Sequence, residues 1–161
     1  MKYSLSEIMD IASGIEKSGY DFYIKAAKKI NKFSDFFNFL AKEEIAHDSV
    51  FKGLKKEFVS TDELNTVYDP DNIISKYIES LTDSIIFKSD EDLDSLLSSS
   101  DSIEDIIDWS IQREHDTILF YVGLKSSLSS ESDKIIVEKI ISEEMNHVHI
   151  LMNKKSELLI K

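Results

Sequence analysis

Two short stretches of the chain repeat one pattern of metal-ligand residues: Glu44-Ile45-Ala46-His47, with Glu16 upstream, and Glu144-Met145-Asn146-His147, with Glu114 upstream. Residues three apart on a helix lie about 60° apart around its axis, so Glu44 and His47 share a face, as do Glu144 and His147. Four glutamates and two histidines so placed can hold two metal ions inside a helical bundle. The charges suit that number. Four carboxylates neutralise two divalent ions, and oxidation to two trivalent ions leaves two surplus positive charges that a bridging oxide can cancel. Mixed oxygen and imidazole ligands favour iron or manganese over calcium, which prefers oxygen alone. Zinc also binds such a site, because affinity generally rises beyond iron in the divalent series.

A lone Glu-x-x-His says little. With 15 glutamates in 161 residues, any histidine meets a glutamate three positions earlier about one time in ten by chance. Here two of only four histidines have it, each behind a Glu-Glu doublet. Each also has a glutamate 28 or 30 residues back that is followed six and seven positions later by Phe-Tyr. The competing interpretation is a salt-bridged helix surface, the usual fate of Glu and His on amphipathic helices. Duplication of the whole set argues against it. Four inward carboxylates without cations would repel one another and have to take up protons.

The elements that must position these residues are helices. One Pro, four Gly and long apolar periodicity indicate an all-α protein. The first helix spans about 4–30. It opens on the capping box Ser4-Leu5-Ser6-Glu7, and Ile8, Ile11, Ala12, Ile15, Tyr23, Ala26 and Ala27 recur along it at helical spacing. The second, about 34–58, runs through Phe36, Phe37, Leu40, Ala41, Ile45, Val50, Phe51 and Leu54. The third, about 102–127, starts at Ser102 with Asp105 as its capping partner and continues through Ile106, Trp109, Leu119, Val122 and Leu124. The fourth covers about 132–159. The intervening 60–101 is too long for a turn and must cross the bundle. Asp69-Pro70 signals the start of a short crossover helix, whereas Ser- and Asp-rich Ser89 to Ser100 suggests a poorly ordered linker or a single helical turn.

An internal repeat sharpens this architecture. Sliding the sequence by 98 places Ser4 on Ser102, Asp10 on Asp108, Glu16 on Glu114 and Phe22-Tyr23 on Phe120-Tyr121; sliding by 100 places Glu43-Glu44 on Glu143-Glu144 and His47 on His147. The expectation is a single ferritin-like domain over 1–161, a four-helix bundle of two hairpins joined by a long crossover.

Composition narrows the function classes. The absence of cysteine excludes disulfides, thiol nucleophiles, Cys-type zinc, rubredoxin-like iron and iron–sulfur clusters on this chain, so electrons must come from outside. A net charge of -12 opposes nucleic-acid backbones and anionic lipid, which need clustered Lys and Arg. Neither an apolar signal core nor an uninterrupted span near 20 apolar residues is visible, which leads to an expectation of a cytoplasmic protein.

Ile15-Glu16-Lys17-Ser18-Gly19-Tyr20-Asp21-Phe22-Tyr23 and Phe39-Leu40-Ala41-Lys42-Glu43-Glu44-Ile45-Ala46-His47 resemble the first two helices of the rubrerythrin-like branch of the ferritin-like di-iron carboxylate proteins. The likeness extends over both hairpins. It implies that Glu44 and Glu144 bridge two irons, while Glu16 with His47 and Glu114 with His147 each terminate one. Two departures stand out. Two-domain rubrerythrins add a cysteine-bound iron domain that this chain lacks, so an external electron-donor protein is implied. They also carry a further carboxylate one turn after the third-helix ligand, where this chain has Thr117, a change that bears on peroxide-reducing geometry. The resemblance implies an oxidoreductase that reduces hydrogen peroxide or dioxygen, with a homodimer expected. Iron oxidation and storage, or a structural bundle with a non-catalytic metal site, are the alternatives.

Smaller expectations attach to neighbouring residues. Tyr23 and Tyr121 follow Glu16 and Glu114 by seven positions, nearly the same face two turns on, so their phenols can bond a ligand carboxylate or simply pack. Phe22 and Phe120 are assigned to packing. Glu43 and Glu143 compete as ligands, but the Glu-x-x-His register favours the second glutamate of each doublet. His115 and His149 point elsewhere and are assigned to the surface. Arg113, the only arginine, is expected to pair with Asp116 or a ligand's neighbour, with no function attached.

Overall fold

Serine caps set the helix starts. In the computed structural model, which describes residues 4–60, 76–77, 79–80, 90–99 and 102–159, α1 spans Leu5–Lys29 and opens on Ser4. Ser4 Oγ accepts from the Glu7 backbone N–H at 3.2 Å, and Glu7 Oε2 accepts from the Ser4 N–H at 2.7 Å. These are the reciprocal bonds of the capping box. Lys28 and Lys29 end the helix, where cations suit the carbonyl end of its dipole. A 3-10 turn, Asn31–Phe33, leads into α2, Ser34–Ser60. The second hairpin follows the same plan. α4, Ile103–Ser127, starts at Ser102, whose hydroxyl accepts from the Asp105 N–H at 3.1 Å. α5, Glu131–Leu159, is preceded by Ser130, which accepts from the Asp133 N–H at 3.3 Å.

The repeat extends to the clasps that fasten each hairpin. Lys55 Nζ lies 2.5 Å from Asp10 in the first, and Lys155 Nζ lies 2.5 Å from Asp108 in the second. α1 packs along α2 and α4 along α5, and the hairpins meet through α1 with α4 and α2 with α5. Among the described residues there is no β-strand, and the architecture is the expected all-α bundle.

Between the hairpins, α3 spans Asp90–Ser99. This corrects the expectation of a poorly ordered linker or one turn over Ser89 to Ser100. Leu93, Leu96 and Leu97 stand at helical spacing, and Leu93 and Leu97 are buried against the cluster that contains Phe22, Tyr23, Ile106 and Leu151. An ion pair of 2.7 Å between Lys25 and Asp94 adds a tether to α1. The expected helix start at Asp69-Pro70 lies outside the described residues; within the crossover, Lys76, Tyr77, Glu79 and Ser80 are helical.

Some residues on the apolar periodicity lie outside the core. Ile45, Val50, Leu119 and Val122 are exposed, Ile45 at 48% and Leu119 at 49%. A helix in a two-layer contact buries one stripe, and these four stand beyond its edge. The apolar interior itself is divided. One cluster gathers Ile8, Met9, Ile15, Phe51, Phe120, Tyr121 and Val137, and the other gathers Phe22, Tyr23, Phe37, Leu40, Leu93, Ile106 and Leu151. Along every long helix the buried glutamates and histidines fall between the two.

Candidate metal centre

That polar band contains all six residues of the duplicated motif. Glu16, Glu44, Glu114 and Glu144 are each 0% exposed, His47 2% and His147 1%. One helix contributes each upstream glutamate and one each Glu-x-x-His pair: α1 and α4 the former, α2 and α5 the latter. Charged side chains so completely buried need partners of opposite charge.

Two groups of ligand atoms converge. Glu16, His47 and Glu144 place ligand atoms within 4.8 Å of one another, and so do Glu114, Glu144 and His147. Glu144 belongs to both. His47 Nδ1 lies 2.8 Å from Glu144 Oε1 and 3.5 Å from Glu16 Oε2, and His147 Nδ1 lies 2.8 Å from Glu144 Oε2. The two imidazoles stack with centroids 5.8 Å apart and planes inclined by 27°. Glu44 stands apart from both groups, with its Oε2 3.8 Å from Arg113 Nη2.

The donor set fits metal ions. Glu16 Oε2, both oxygens of Glu44 and Glu114 Oε2 are all buried without a hydrogen-bond partner. Such atoms are rare in a folded interior, and here they are the lone pairs a cation would take. The remaining polar atoms hold the ligands in place. Tyr23 OH donates to Glu114 Oε1 and Tyr121 OH donates to Glu16 Oε1, so each phenol serves the opposite hairpin rather than its own. His47 Nε2 bonds Glu143 Oε2 at 3.0 Å, which leaves Nδ1 turned inward.

Proton affinities report the same crowding of negative charge. Burial, then repulsion from Glu16 and Glu114, pushes the Glu44 carboxyl well above the usual range. Burial and the neighbouring Glu144 raise Glu114 to about 8. Burial also works against a charged His47, yet its contacts with Glu144 and Glu16 carry it up to about 11. Glu144, despite burial, is held down at about 2 by His147 and His47. Burial first, and carboxylates second, drive Tyr23 and Tyr121 far above an ordinary phenol. Protons and imidazolium groups thus balance charges that metal cations would otherwise balance.

The neighbouring residues fall as follows. Phe22 and Phe120 are buried and meet Tyr23 and Tyr121 edge-on, as packing residues do. His115 and His149 are exposed. Glu43 is half-buried, while Glu143 supports His47. Of the two partners expected for Arg113, Asp116 accepts instead from Gln112 at 3.0 Å, and Arg113 turns inward to Glu44 and donates from Nη2 at 2.9 Å to the carbonyl of Ile15, the neighbour of Glu16. Gly19 makes room for it. A Cβ at that position would collide with Arg113 Nη2 and the Glu44 carboxylate. A glycine in mid-helix, one turn after Glu16, marks a close approach but does not name the residue that makes it.

Comparison with known proteins agrees with this geometry. None of the curated proteins matches the chain. A solved structure from Thermotoga maritima, of a candidate ferritin-like diiron-carboxylate protein, superposes with a TM-score of 0.68 at 22% identity, over 96% of each chain. At that identity the likeness carries the fold. The family profile named Rubrerythrin matches residues 7–155, which takes in both hairpins and all six residues of the site. The chain therefore belongs to the rubrerythrin family.

Proposed function

We propose that the protein is a non-haem di-iron oxidoreductase that reduces hydrogen peroxide or dioxygen with electrons from an external donor protein. The observation that carries this reading is the set of buried, unpartnered carboxylate oxygens on Glu16, Glu44 and Glu114 in the same buried band as Glu144, His47 and His147, in a chain of the rubrerythrin family. Glu16 with His47, and Glu114 with His147, would each hold one iron, with Glu44 and Glu144 shared. When bound, two ferrous ions supply the two electrons that convert one hydrogen peroxide and two protons into two waters.

The protein's own contribution is position, dryness and proton control. Tyr23 and Tyr121 fix one oxygen of Glu114 and of Glu16, leaving the other free for a ligand bond. Glu143 fixes the tautomer of His47 so that Nδ1 faces the interior. The apolar clusters on either side keep bulk water from the site, which strengthens every charge interaction within it. Thr117, 1% exposed and with Oγ1 lacking a partner, is a neutral hydroxyl where two-domain rubrerythrins carry a carboxylate.

The test is anaerobic reconstitution with ferrous iron followed by stopped-flow mixing with peroxide or with oxygenated buffer. The reading expects two irons per chain, oxidised within one turnover and reduced again by a donor. Fewer than two irons, or no oxidation by either oxidant, would refute it. A hollow multisubunit particle would move the reading toward iron storage.

A further inference from the structure

The outside of the second hairpin carries metal-ligating residues that the inner site does not use. Among the described residues, every exposed histidine and every exposed methionine lies there: His115 on α4, and Met145, His149 and Met152 on α5. Met145 is 59% exposed and Met152 54%, although methionine is among the residues most often fully buried. The repeat does not supply them. Under the shifts of 98 and 100 the first hairpin has Lys17, Ile45, Ser49 and Lys52 at the same places. Met145, His149 and Met152 stand at i, i+4 and i+7, within about 60° of one another around α5, so two thioethers flank one imidazole on consecutive turns. Two ion pairs across the hairpin, Lys125 with Glu138 and Lys155 with Asp108, set its register. Glu138 begins the stripe that continues through Met145, His149 and Met152, and Asp108 lies two turns before His115 on the same face of α4, so both stripes border the seam between the helices. The register sets His115 level with the turn of α5 that runs from Met145 to His149.

We propose that this seam is a second metal site, for copper(I), with Met145, His149 and Met152 as ligands from α5 and His115 as the ligand from α4. Thioether sulfur is a soft donor that selects copper(I) over the hard divalent ions, and imidazole suits copper as well. With no cysteine in the chain, methionine is its only soft donor. The rotatable bonds of a methionine side chain let the sulfurs on either side of His149 close on one ion. His149 is already oriented: Asn153 Nδ2 donates to its Nε2 at 3.0 Å, so that nitrogen presents the lone pair a metal would take. A purely apolar contact with another copy of the chain would be served as well by leucine, and it gains nothing from two histidines set among the methionines. The site uses no ligand of the inner centre, so it stands or falls apart from the di-iron reading.

Silver(I), a redox-inert stand-in for copper(I), reads the seam directly by NMR of protein with isotope-labelled methionine methyl groups, because the inner centre contains no methionine. The Met145 and Met152 methyl signals should shift together with the His149 imidazole signals and saturate at one silver per chain, while the signal of buried Met9 stays in place. Copper(I) should be held at the same stoichiometry in anaerobic competition with a chromophoric chelator. The Met145→Leu, Met152→Leu double variant keeps the apolar volume and should lose that binding, and His115→Ala should weaken it. The His47→Ala, His147→Ala double variant removes the inner imidazoles and should leave it intact. The proposal is overturned if the two methyl signals stay in place, as they would were the seam closed by a second copy of the chain, or if they move without His149. It is equally overturned if the leucine variant or His115→Ala holds copper(I) as tightly as wild type, or if loss of the inner imidazoles abolishes the binding.

Discussion

At the scale of single residues, the buried groups proposed to bind metal hold protons in its absence. Glu44 and Glu114 are pushed up, and His47 and His147 are held protonated by carboxylates despite their burial. Metals need these groups deprotonated, so loading at pH 7 should release protons, and affinity should rise with pH. Calorimetric titration in buffers of different ionisation enthalpy measures the release; none would contradict the account. The metal-free protein should behave in the opposite sense. Raised folded values at Glu114 and His47 stabilise the fold fully below their unfolded values, and that contribution is lost as pH rises through about 8 and about 11. Denaturation midpoints should therefore fall with pH across that range without metal, while metal-loaded protein gains over it. Tyr23→Phe and Tyr121→Phe each remove one bond to a ligand carboxylate, and each should weaken metal binding about 10- to 100-fold, as losses of such supporting contacts do. Unchanged affinity in a competition titration would reduce the phenols to packing.

At the scale of elements, short α3 matters more than its composition suggests. Leu93 is 1% exposed in the cluster beside Tyr23, so Leu93→Ala should cost about 2–5 kcal/mol in chemical denaturation. The same variant should leave the number of metals per chain unchanged, because α3 provides no ligand. Ser4→Ala removes the α1 cap and should cost about 1 kcal/mol. These two positions also show what was legible beforehand. The capping serines, the helix spans and the repeat are local patterns, and the structure reproduces them. α3 was missed because three leucines among serines and aspartates make a weak signal, and its helix is secured by tertiary burial against Phe22 and Ile106. The inward turn of Arg113 was illegible for a related reason: it depends on Gly19, 94 residues earlier, and only packing brings the two together. The crossing of each tyrosine to the other hairpin's glutamate is likewise a property of the assembled bundle.

At the scale of the whole molecule, a duplicated hairpin places two copies of one motif face to face, so that neither copy makes the centre alone. No helix among the described residues is long and apolar enough to cross a membrane. The proposed homodimer draws support from large apolar side chains left outside the core, among them Ile45, Leu119, Val122, Met145 and Met152. Analytical ultracentrifugation should give twice the chain mass, and a monomer would refute that part. The central claim is that Glu16, Glu44, His47, Glu114, Glu144 and His147 form one di-iron site, and iron analysis joined to Mössbauer spectroscopy of peroxide-treated protein tests it most directly. The account predicts two irons per chain as a single magnetically coupled diferric pair, lost in a His47→Ala, His147→Ala double variant that remains folded. Uncoupled ferric iron, or a coupled pair that survives both substitutions, would contradict it.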